Sequence, residues 1–245
     1  MTNVVSLKED SCNQLSREQS SSDIEVPGVA RNFTVHAVTV GTDRKQCVRL
    51  NTSARHHGID IKNLGTNVEW QGTNMTGPGG GHKVSLLKDY LHTLPVDDVV
   101  LFTDAYDVFY ADDLETITER YLDFNTKAVF SAELYCYPDD SIANEFPESN
   151  TPYRYLNSGT FIAQVGELKK MFNSSTVADD GDDQLYYQKL LLSNEFDMTL
   201  DYEGYIFQTH EDATGTCPCL RVYVGFTCTG TCNMNGTGMY YRTYE

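Results

Sequence analysis

The stretch VVLFTDAYDV, residues 99–108, is the most informative part of this 245-residue sequence. Its four leading apolar residues lack the alternation of a half-exposed strand, so they predict a strand buried on both faces. The run ends in two carboxylates, Asp104 and Asp107. In open α/β sheets, ligands collect at the carboxyl ends of such strands. The stretch therefore predicts a site for a metal and a diphosphate, although such an acidic pair can also cap a helix.

Short apolar segments alternate with amphipathic segments along most of the chain. Strands are predicted at residues 33–40, 59–64, 99–102, 128–132 and 155–162. Helices are predicted around Val48 and Leu50 and over residues 84–94, 114–121 and 184–192. Strands that alternate with helices are typical of an α/β protein with a mostly parallel sheet. The polar segment 138–152 predicts a surface loop of the length found in lids.

The two ends of the chain differ from its middle. Residues 1–32 are polar and lack the apolar segment of a signal peptide, so they predict a disordered leader. Residues 33–212 predict one α/β domain, and residues 213–245 predict a cysteine-rich tail packed on it. Four of the seven cysteines lie in this tail: Cys217, Cys219, Cys228 and Cys232. Their spacing favours two disulfides over a zinc site, without excluding zinc.

The charge balance narrows the class of ligand and partner. A net charge of -17, with 18 basic and 35 acidic residues, argues against binding of nucleic acid, which requires clustered Lys and Arg. It does not exclude an anionic nucleotide-sugar, because a bound divalent cation reverses the local sign. No apolar run is long enough to span a membrane. Five Asn-x-Ser/Thr sequons, with the cysteines, favour a secretory lumen such as the endoplasmic reticulum.

Two further segments carry residues suited to phosphate and sugar chemistry. The glycine-rich loop at residues 77–81 runs into a predicted helix that begins near Lys83, and this combination favours anion binding. An acidic run ending in Asp182 and Asp183 precedes the helix at 184–192. These carboxylates could stabilise a positively charged sugar in a transition state, or they could simply cap the helix.

Several blocks in fixed order resemble those of one known family. They are TVGT (39–42), Trp70, GGGHKV (79–84), FTDAYDV (102–108), FSAE (130–133), YLNSG (155–159), DDQLYY (182–187) and IFQ (206–208). As a set they resemble the N-terminal glycosyltransferase domain of the procollagen-lysine dioxygenases, the lysyl hydroxylases. The resemblance covers roughly residues 33–212.

The resemblance implies a GT-A fold, a UDP-sugar donor, Mn²⁺, and transfer of glucose to galactosyl-hydroxylysine of collagen-like chains with retention at the anomeric carbon. It implies that Asp104 and Asp107 bind the metal and that Asp182 and Asp183 are catalytic. The residues that it implies for donor binding are Val40, Gly41, Thr42, Trp70, Lys83, Asp104, Ala105 and Tyr106. Three of these residues could have a structural role instead of binding the donor. Trp70 could be a tryptophan of the apolar core, Tyr106 could pack against the buried strand, and Lys83 could be a solvent-exposed lysine in the first turn of its helix.

The sequence also departs from the family pattern. Tyr137 stands where family members carry a tryptophan or another residue, which bears on the acceptor, and Asn157 either binds sugar or closes a turn. The family's third metal ligand comes from a His-Gly-Asn segment that this chain lacks, leaving His210 or residues 233–238 as substitutes. Two other functions therefore stay open: a GT-A transferase with another UDP-sugar and acceptor, and a GT-A-like module that binds without catalysis.

Overall fold

The computed structural model describes residues 25–26, 29–30, 32–73, 79–209 and 222–224. The chain divides into two units, residues 1–31 and 32–245. In the first unit, strands β1 (Glu25–Val26) and β2 (Val29–Ala30) pair antiparallel. Most of the predicted leader and most of the predicted cysteine-rich tail lie outside the described residues, so both stay predictions.

The second unit alternates strands and helices. Its strands are β3 (Val35–Val40), β4 (Ile61–Asn63), β5 (Val99–Asp104), β6 (Val108–Tyr110), β7 (Ala128–Glu133), β8 (Tyr155–Gln164), β9 (Met198–Asp201), β10 (Phe207–Thr209) and β11 (Val222–Val224). Its helices are α1 (Val48–His56), α2 (Gly81–Leu91), α3 (Leu114–Asp123), α4 (Val165–Ser174) and α5 (Asp183–Ser193), with a 3₁₀ helix at Asp140–Glu145. Among the described residues, no helix has the length and apolar character needed to cross a membrane.

Six strands form the central sheet, in the order β4-β3-β5-β8-β7-β9. Every neighbouring pair is parallel except those that β8 makes with β5 and β7. β8 is antiparallel because it follows β7 through a loop without a crossover helix, and parallel neighbours require such a crossover. The predicted α/β fold with a mixed, mostly parallel sheet is confirmed. The carboxyl ends of β5, β7 and β9 consequently lie on the same side of the sheet, across the strand ends, which we call its carboxyl edge.

The sheet is buried on both faces. Helices α2, α4 and α5 cover one face, and α1 and α3 cover the other. On the first face Phe102, Phe161 and Phe130 stack across three adjacent strands, with ring centroids 5.0 and 4.6 Å apart. Tyr187 of α5 lies against this row, 5.0 Å from the Phe130 ring. The uninterrupted apolar run of β5 is explained by this double burial.

A buried carboxylate fixes the chain after β9. Asp201 Oδ1 accepts a hydrogen bond from the Tyr205 amide at 2.8 Å. Its Oδ2 accepts from the amides of Ile206 and Phe207 at 2.6 and 2.8 Å. Burial raises the pKa of Asp201, and the three amides oppose that shift. Because one side chain satisfies three main-chain donors, it sets the turn that leads from β9 into β10.

We predict that Asp201→Asn destabilises the fold, because an amide nitrogen cannot accept the hydrogen bonds that a carboxylate oxygen accepts. An unsatisfied buried donor costs about 1–3 kcal/mol, so the free energy of unfolding in urea should fall by that amount. Asp60→Asn, at an exposed position before β4, is the control and should leave it unchanged. Equal stability of the two variants would show that the Asp201 contacts contribute nothing net.

Candidate functional site

The candidate site lies where β5 ends at the carboxyl edge of the sheet. Asp104 is the last residue of β5, and Asp107 follows after a bend. Asp104 is partly exposed at this edge. Gly159 of β8 lies beside it, since a Cβ on Gly159 would come within 3.2 Å of Asp104 Oδ2. The double burial of β5 therefore presents the Asp104 carboxylate at the sheet edge, as the apolar run predicts.

A buried lysine joins Asp104 to a second carboxylate. Lys83, in the first turn of α2, is only 7% exposed. Its Nζ lies 2.9 Å from Asp104 Oδ1 and 2.8 Å from Asp183 Oδ2. Asp183 opens α5 and is itself buried. Three sequence-predicted residues from three elements thus form one ionic cluster, and Lys83 is not the solvated lysine of the alternative interpretation.

The charges in this cluster control its protonation. Burial lowers the pKa of Lys83, but the charges of Asp104 and Asp183 outweigh burial and raise it overall, so the ammonium persists. Burial raises the pKa of Asp104, opposed by Lys83 and reinforced by Asp107 and Asp183. Two carboxylates therefore contact the ammonium, and a third, Asp107, adds its negative charge beside Asp104. This excess of negative charge favours a bound cation.

A glycine permits the close approach of α2 and α5. Gly80 has a φ of +96°, and a Cβ there would lie 2.6 Å from the carboxyl carbon of Asp183. The Asp183 amide donates to the Gly79 carbonyl at 3.0 Å, and the Gly81 amide donates to the Gly181 carbonyl at 2.8 Å. Glycine is required at position 80 by both backbone conformation and space. The glycine-rich loop thus packs on the acidic run.

Asp182 has a different environment from Asp183. Its Oδ1 accepts from the Leu185 amide at 2.7 Å, as the N-cap of α5. Its Oδ2 accepts from the Gly79 amide at 2.9 Å. Both oxygens are therefore engaged in holding the glycine loop to the helix. The helix-cap interpretation fits Asp182, and its catalytic role stays a prediction.

A second group of residues shapes the loop after β3. The Tyr106 hydroxyl accepts from the amides of Thr42 and Asp43 at 3.0 and 3.1 Å, while the Tyr106 side chain is partly exposed. Gly41 lies beneath this loop, where a Cβ would come within 2.7 Å of the Ala105 Cβ. The predicted donor-binding residues Gly41, Thr42, Ala105 and Tyr106 are thus in one place, next to buried Val40 at the end of β3.

Asn63, which the sequence did not single out, fixes the same loop. Its Oδ1 accepts from the Gly41 and Gly65 amides, each at 2.9 Å. Its Nδ2 donates to the Gly41 carbonyl at 2.8 Å. The one available signal is its position at the end of a short strand, which resembles that of Asp104.

Glu133, at the end of β7, organises the side of the site next to α5. Glu133 is buried, and its carboxylate accepts from Gln184 Nε2 and, at 2.9 Å, from Asn157 Nδ2. Asn157 Oδ1 also accepts from the Gly159 amide at 2.9 Å, a local contact within β8, and its role in sugar binding stays a prediction. Gln184 donates to the Tyr137 carbonyl at 2.8 Å, while the Tyr137 side chain is 47% exposed. Glu133 ends a mostly apolar strand, as Asp104 does. A carboxylate at the end of such a strand is the sequence pattern from which Glu133 could have been predicted as a site residue.

Trp70 is partly buried, packing against the edge of the apolar core and beside the first turn of α2. Its ring is half-buried, with its centroid 5.1 Å from that of His82, and its Nε1 donates to the Thr73 carbonyl at 2.7 Å. His82 Nδ1 in turn accepts from the Gln71 amide at 3.1 Å. The structure brings Trp70 next to the residue that precedes Lys83. Its role in donor binding stays a prediction.

Asp104 and Asp107 supply hard oxygen atoms of the kind that Mn²⁺ and Mg²⁺ prefer. Within the described parts of the chain, no group of three or more His, Cys, Asp or Glu side chains could hold a metal. His210 and residues 233–238, the predicted substitutes for the third ligand, lie outside those parts. The two aspartates fit a cation that fills its remaining positions with water and phosphate oxygens.

Comparison with known proteins identifies the family. Residues 31–219 match the family model described as the PLOD GT domain. The chain is 35% identical over 185 residues to the procollagen-lysine,2-oxoglutarate 5-dioxygenase of Drosophila melanogaster, covering 72% of this chain and 26% of that protein. It is 35% identical over 181 residues to the multifunctional procollagen lysine hydroxylase and glycosyltransferase of Caenorhabditis elegans, covering 70% of this chain and 25% of that protein.

The chain thus spans about a quarter of the length of these curated relatives. A crystal structure of a glycosyltransferase involved in the glycosylation of the major capsid of PBCV-1 is 10% identical, with a TM-score of 0.39, over 71% of this chain and 84% of that chain. The family model alone covers more than half of the sequence. The chain therefore belongs to the PLOD GT domain family, the glycosyltransferase domains of the procollagen-lysine dioxygenases.

Proposed function

We propose that this domain transfers glucose from a UDP-sugar to galactosyl-hydroxylysine of collagen-like chains, with Mn²⁺ and with retention at the anomeric carbon. The observation that carries the proposal is the cluster of Asp104, Lys83 and Asp183 at the carboxyl edge of the sheet. The names of the relatives, which include a procollagen lysine hydroxylase and glycosyltransferase, support the acceptor class.

The loop after β3 supplies the donor-binding surface in this proposal. The partly exposed Tyr106 ring is available to stack on the uracil, and its hydroxyl holds the Thr42 amide in place. Asn63 fixes the Gly41 backbone, whose lack of a side chain lets the loop pack closely. A surface that is rigid before binding loses less entropy when the nucleotide binds.

Asp104 and Asp107 are the residues that would hold the metal. When bound, a divalent ion supplies positive charge to the diphosphate as the sugar leaves. Lys83 adds a second positive charge beside Asp104, fixed in place by its two ion pairs. Charges that are oriented before the reaction stabilise the leaving group without reorganisation.

Asp183 is the carboxylate that we assign to the sugar. As the bond to the diphosphate breaks, the sugar ring acquires positive charge, and a fixed carboxylate stabilises it. Asp183 is buried and oriented by Lys83, whereas both oxygens of Asp182 are bound to main-chain amides. The buried environment strengthens the interaction of Asp183 with a nearby positive charge.

The first prediction concerns the metal. Asp104→Asn keeps the size of the side chain and an acceptor for Lys83 but removes the negative charge. We expect the affinity for UDP in the presence of Mn²⁺, measured by isothermal titration, to fall by at least about tenfold. Asp60→Asn serves as the control. An unchanged affinity in Asp104→Asn, or UDP binding by the wild type that ignores Mn²⁺, would refute the metal assignment.

The second prediction separates the two neighbouring aspartates. Asp183→Asn should leave UDP binding intact and lower kcat by about 10²–10³-fold, the usual effect of removing one electrostatic contact to a transition state. Asp182→Asn keeps an N-cap oxygen for the Leu185 amide but loses the acceptor for the Gly79 amide. It should therefore lower the free energy of unfolding by about 1 kcal/mol, with a smaller change in kcat. The reverse pattern would transfer the catalytic role to Asp182, and unchanged kcat in both would remove it from this helix.

The third prediction tests the loop after β3. Asn63→Ala removes three hydrogen bonds to the Gly41 and Gly65 backbone. Each of these hydrogen bonds contributes about 1 kcal/mol, and water compensates in part for its loss. The KM for the UDP-sugar should therefore rise about fivefold to thirtyfold while kcat changes little. Lys62→Ala, at the exposed neighbouring residue, is the matched control. A rise in KM that is equal in both variants would contradict the role of Asn63.

These measurements also distinguish the two alternative functions. A transferase with another donor or acceptor would bind UDP with Mn²⁺ and hydrolyse a different UDP-sugar. A module that binds without catalysis would bind a ligand but transfer no sugar from any donor. Screening of UDP-sugars for hydrolysis, followed by mass spectrometry of a collagen-like acceptor, decides between them.

A further inference from the structure

A cavity of about 620 Å³ lies beside the edge strand β9, away from the Lys83 cluster. We call it the β9-edge cavity. Its aromatic lining consists of Phe124, Tyr202 and Tyr205, and its acidic lining includes Asp123, Glu148 and Glu203. Leu200 of β9 contributes to its wall. β9 is the last strand of the six-stranded sheet, and within the described parts of the chain no strand pairs with its outer side.

We propose that the β9-edge cavity binds an extended, positively charged and proline-rich segment of the acceptor chain. This inference rests on the proposed function, because the occupant is taken to be the collagen-like acceptor. It assigns to the domain a second binding site, distinct from the donor site, that recognises the acceptor polypeptide instead of its sugar.

The charge of the cavity selects a cationic occupant. None of the described residues that line it is a lysine or an arginine. Glu148 is 3.4 Å from Arg154, yet its side chain remains 92% exposed and available to a ligand. Asp123 is exposed and accepts a hydrogen bond from the Tyr205 hydroxyl at 3.1 Å. Complementary charge of this kind steers a lysine-rich chain to the cavity.

The aromatic wall selects an extended occupant. The Tyr205 ring contacts the Phe124 ring, with centroids 6.2 Å apart, and the Arg120 guanidinium, 5.7 Å from the Tyr205 centroid. The Tyr202 carbonyl accepts from Thr151 Oγ1 at 2.6 Å, which fixes the backbone at the other wall. Grooves lined by fixed aromatic rings bind proline-rich chains in the polyproline II conformation, because such chains lose little entropy. Collagen-like sequences have this conformation.

The position of the cavity matches the reach of such a chain. Three strand spacings, about 14 Å in all, separate β5, which ends at Asp104, from β9, which borders the cavity. At a rise of 3.1 Å per residue, about four or five residues of polyproline II chain span that distance. One continuous acceptor segment can therefore contact the cavity and also reach the donor site.

The test is peptide binding, measured by fluorescence anisotropy without metal or donor. The probes are a labelled peptide of Gly-Pro-Lys repeats and its Gly-Pro-Gln counterpart. We expect the wild type to bind the lysine peptide more tightly. The double variant Glu148→Lys/Glu203→Lys should weaken that binding by about tenfold or more, because like charges then face each other. The milder Glu148→Gln/Glu203→Gln variant should weaken it less and provides a second variant if the first fails to fold.

The control is Asp60→Lys/Asp89→Lys, which changes the net charge by the same amount as Glu148→Lys/Glu203→Lys. Both control positions are exposed, Asp60 just before β4 and Asp89 on α2. Retained binding in the control, with loss in the cavity variants, supports the proposal. Equal weakening in cavity and control variants, no weakening in the cavity variants, or equal affinity of the wild type for both peptides would overturn it.

The two proposals can fail separately. Peptide binding needs neither Mn²⁺ nor UDP-sugar, so a wild type that binds through the cavity but transfers no sugar refutes the proposed function alone. A cavity variant that binds UDP and hydrolyses UDP-sugar like the wild type, and that binds the lysine peptide equally well, refutes the cavity site alone.

Discussion

The ammonium of Lys83, held between two carboxylates, is the interaction on which the site depends. It connects α2 to the end of β5 and to the start of α5. A buried charge that lacks a partner is costly, so removal of Lys83 would leave the buried Asp183 carboxylate without its ion-pair partner. The close contact of α2 with α5 also explains why Gly80 adopts a positive φ and leaves no room for a side chain. One ion-pair network thereby determines the local backbone.

Under the proposed function, this network would also allow an acidic protein to bind an anionic donor. The overall charge of -17 acts weakly at the site, because salt screens charges beyond about 8 Å. Locally, Lys83 neutralises part of the charge of Asp104 and Asp183, and Asp107 adds a further negative charge. A divalent cation would cancel the excess negative charge that these three carboxylates and one ammonium leave. The donor would then bind to positive charges fixed in place by the buried carboxylates.

The sequence predicted most of the features that depend on local pattern. It missed the contacts between residues far apart in the chain. The apolar run before Asp104 predicted a strand covered on both faces, and double burial confirms it. Helix α4 was missed, although Val165, Leu168, Met171 and Phe172 recur at helical spacing, because it follows β8 without a turn signal. The antiparallel direction of β8 depends on its connection to β7. The Lys83–Asp183 pair joins residues 100 positions apart, and no local pattern reveals such a contact.

Glu133 fixes the backbone around Tyr137, the residue that the proposed function assigns to the acceptor side. Its buried carboxylate holds Asn157 and Gln184, and Gln184 with Gln188 binds the carbonyl of Tyr137. The backbone of the loop after β7 is therefore fixed to α5, while the side chain of Tyr137 extends outward. A substitution of that side chain would alter the surface presented to an acceptor without loss of these main-chain contacts. Under the proposed function, Tyr137 would therefore form part of the acceptor surface on a support fixed by α5.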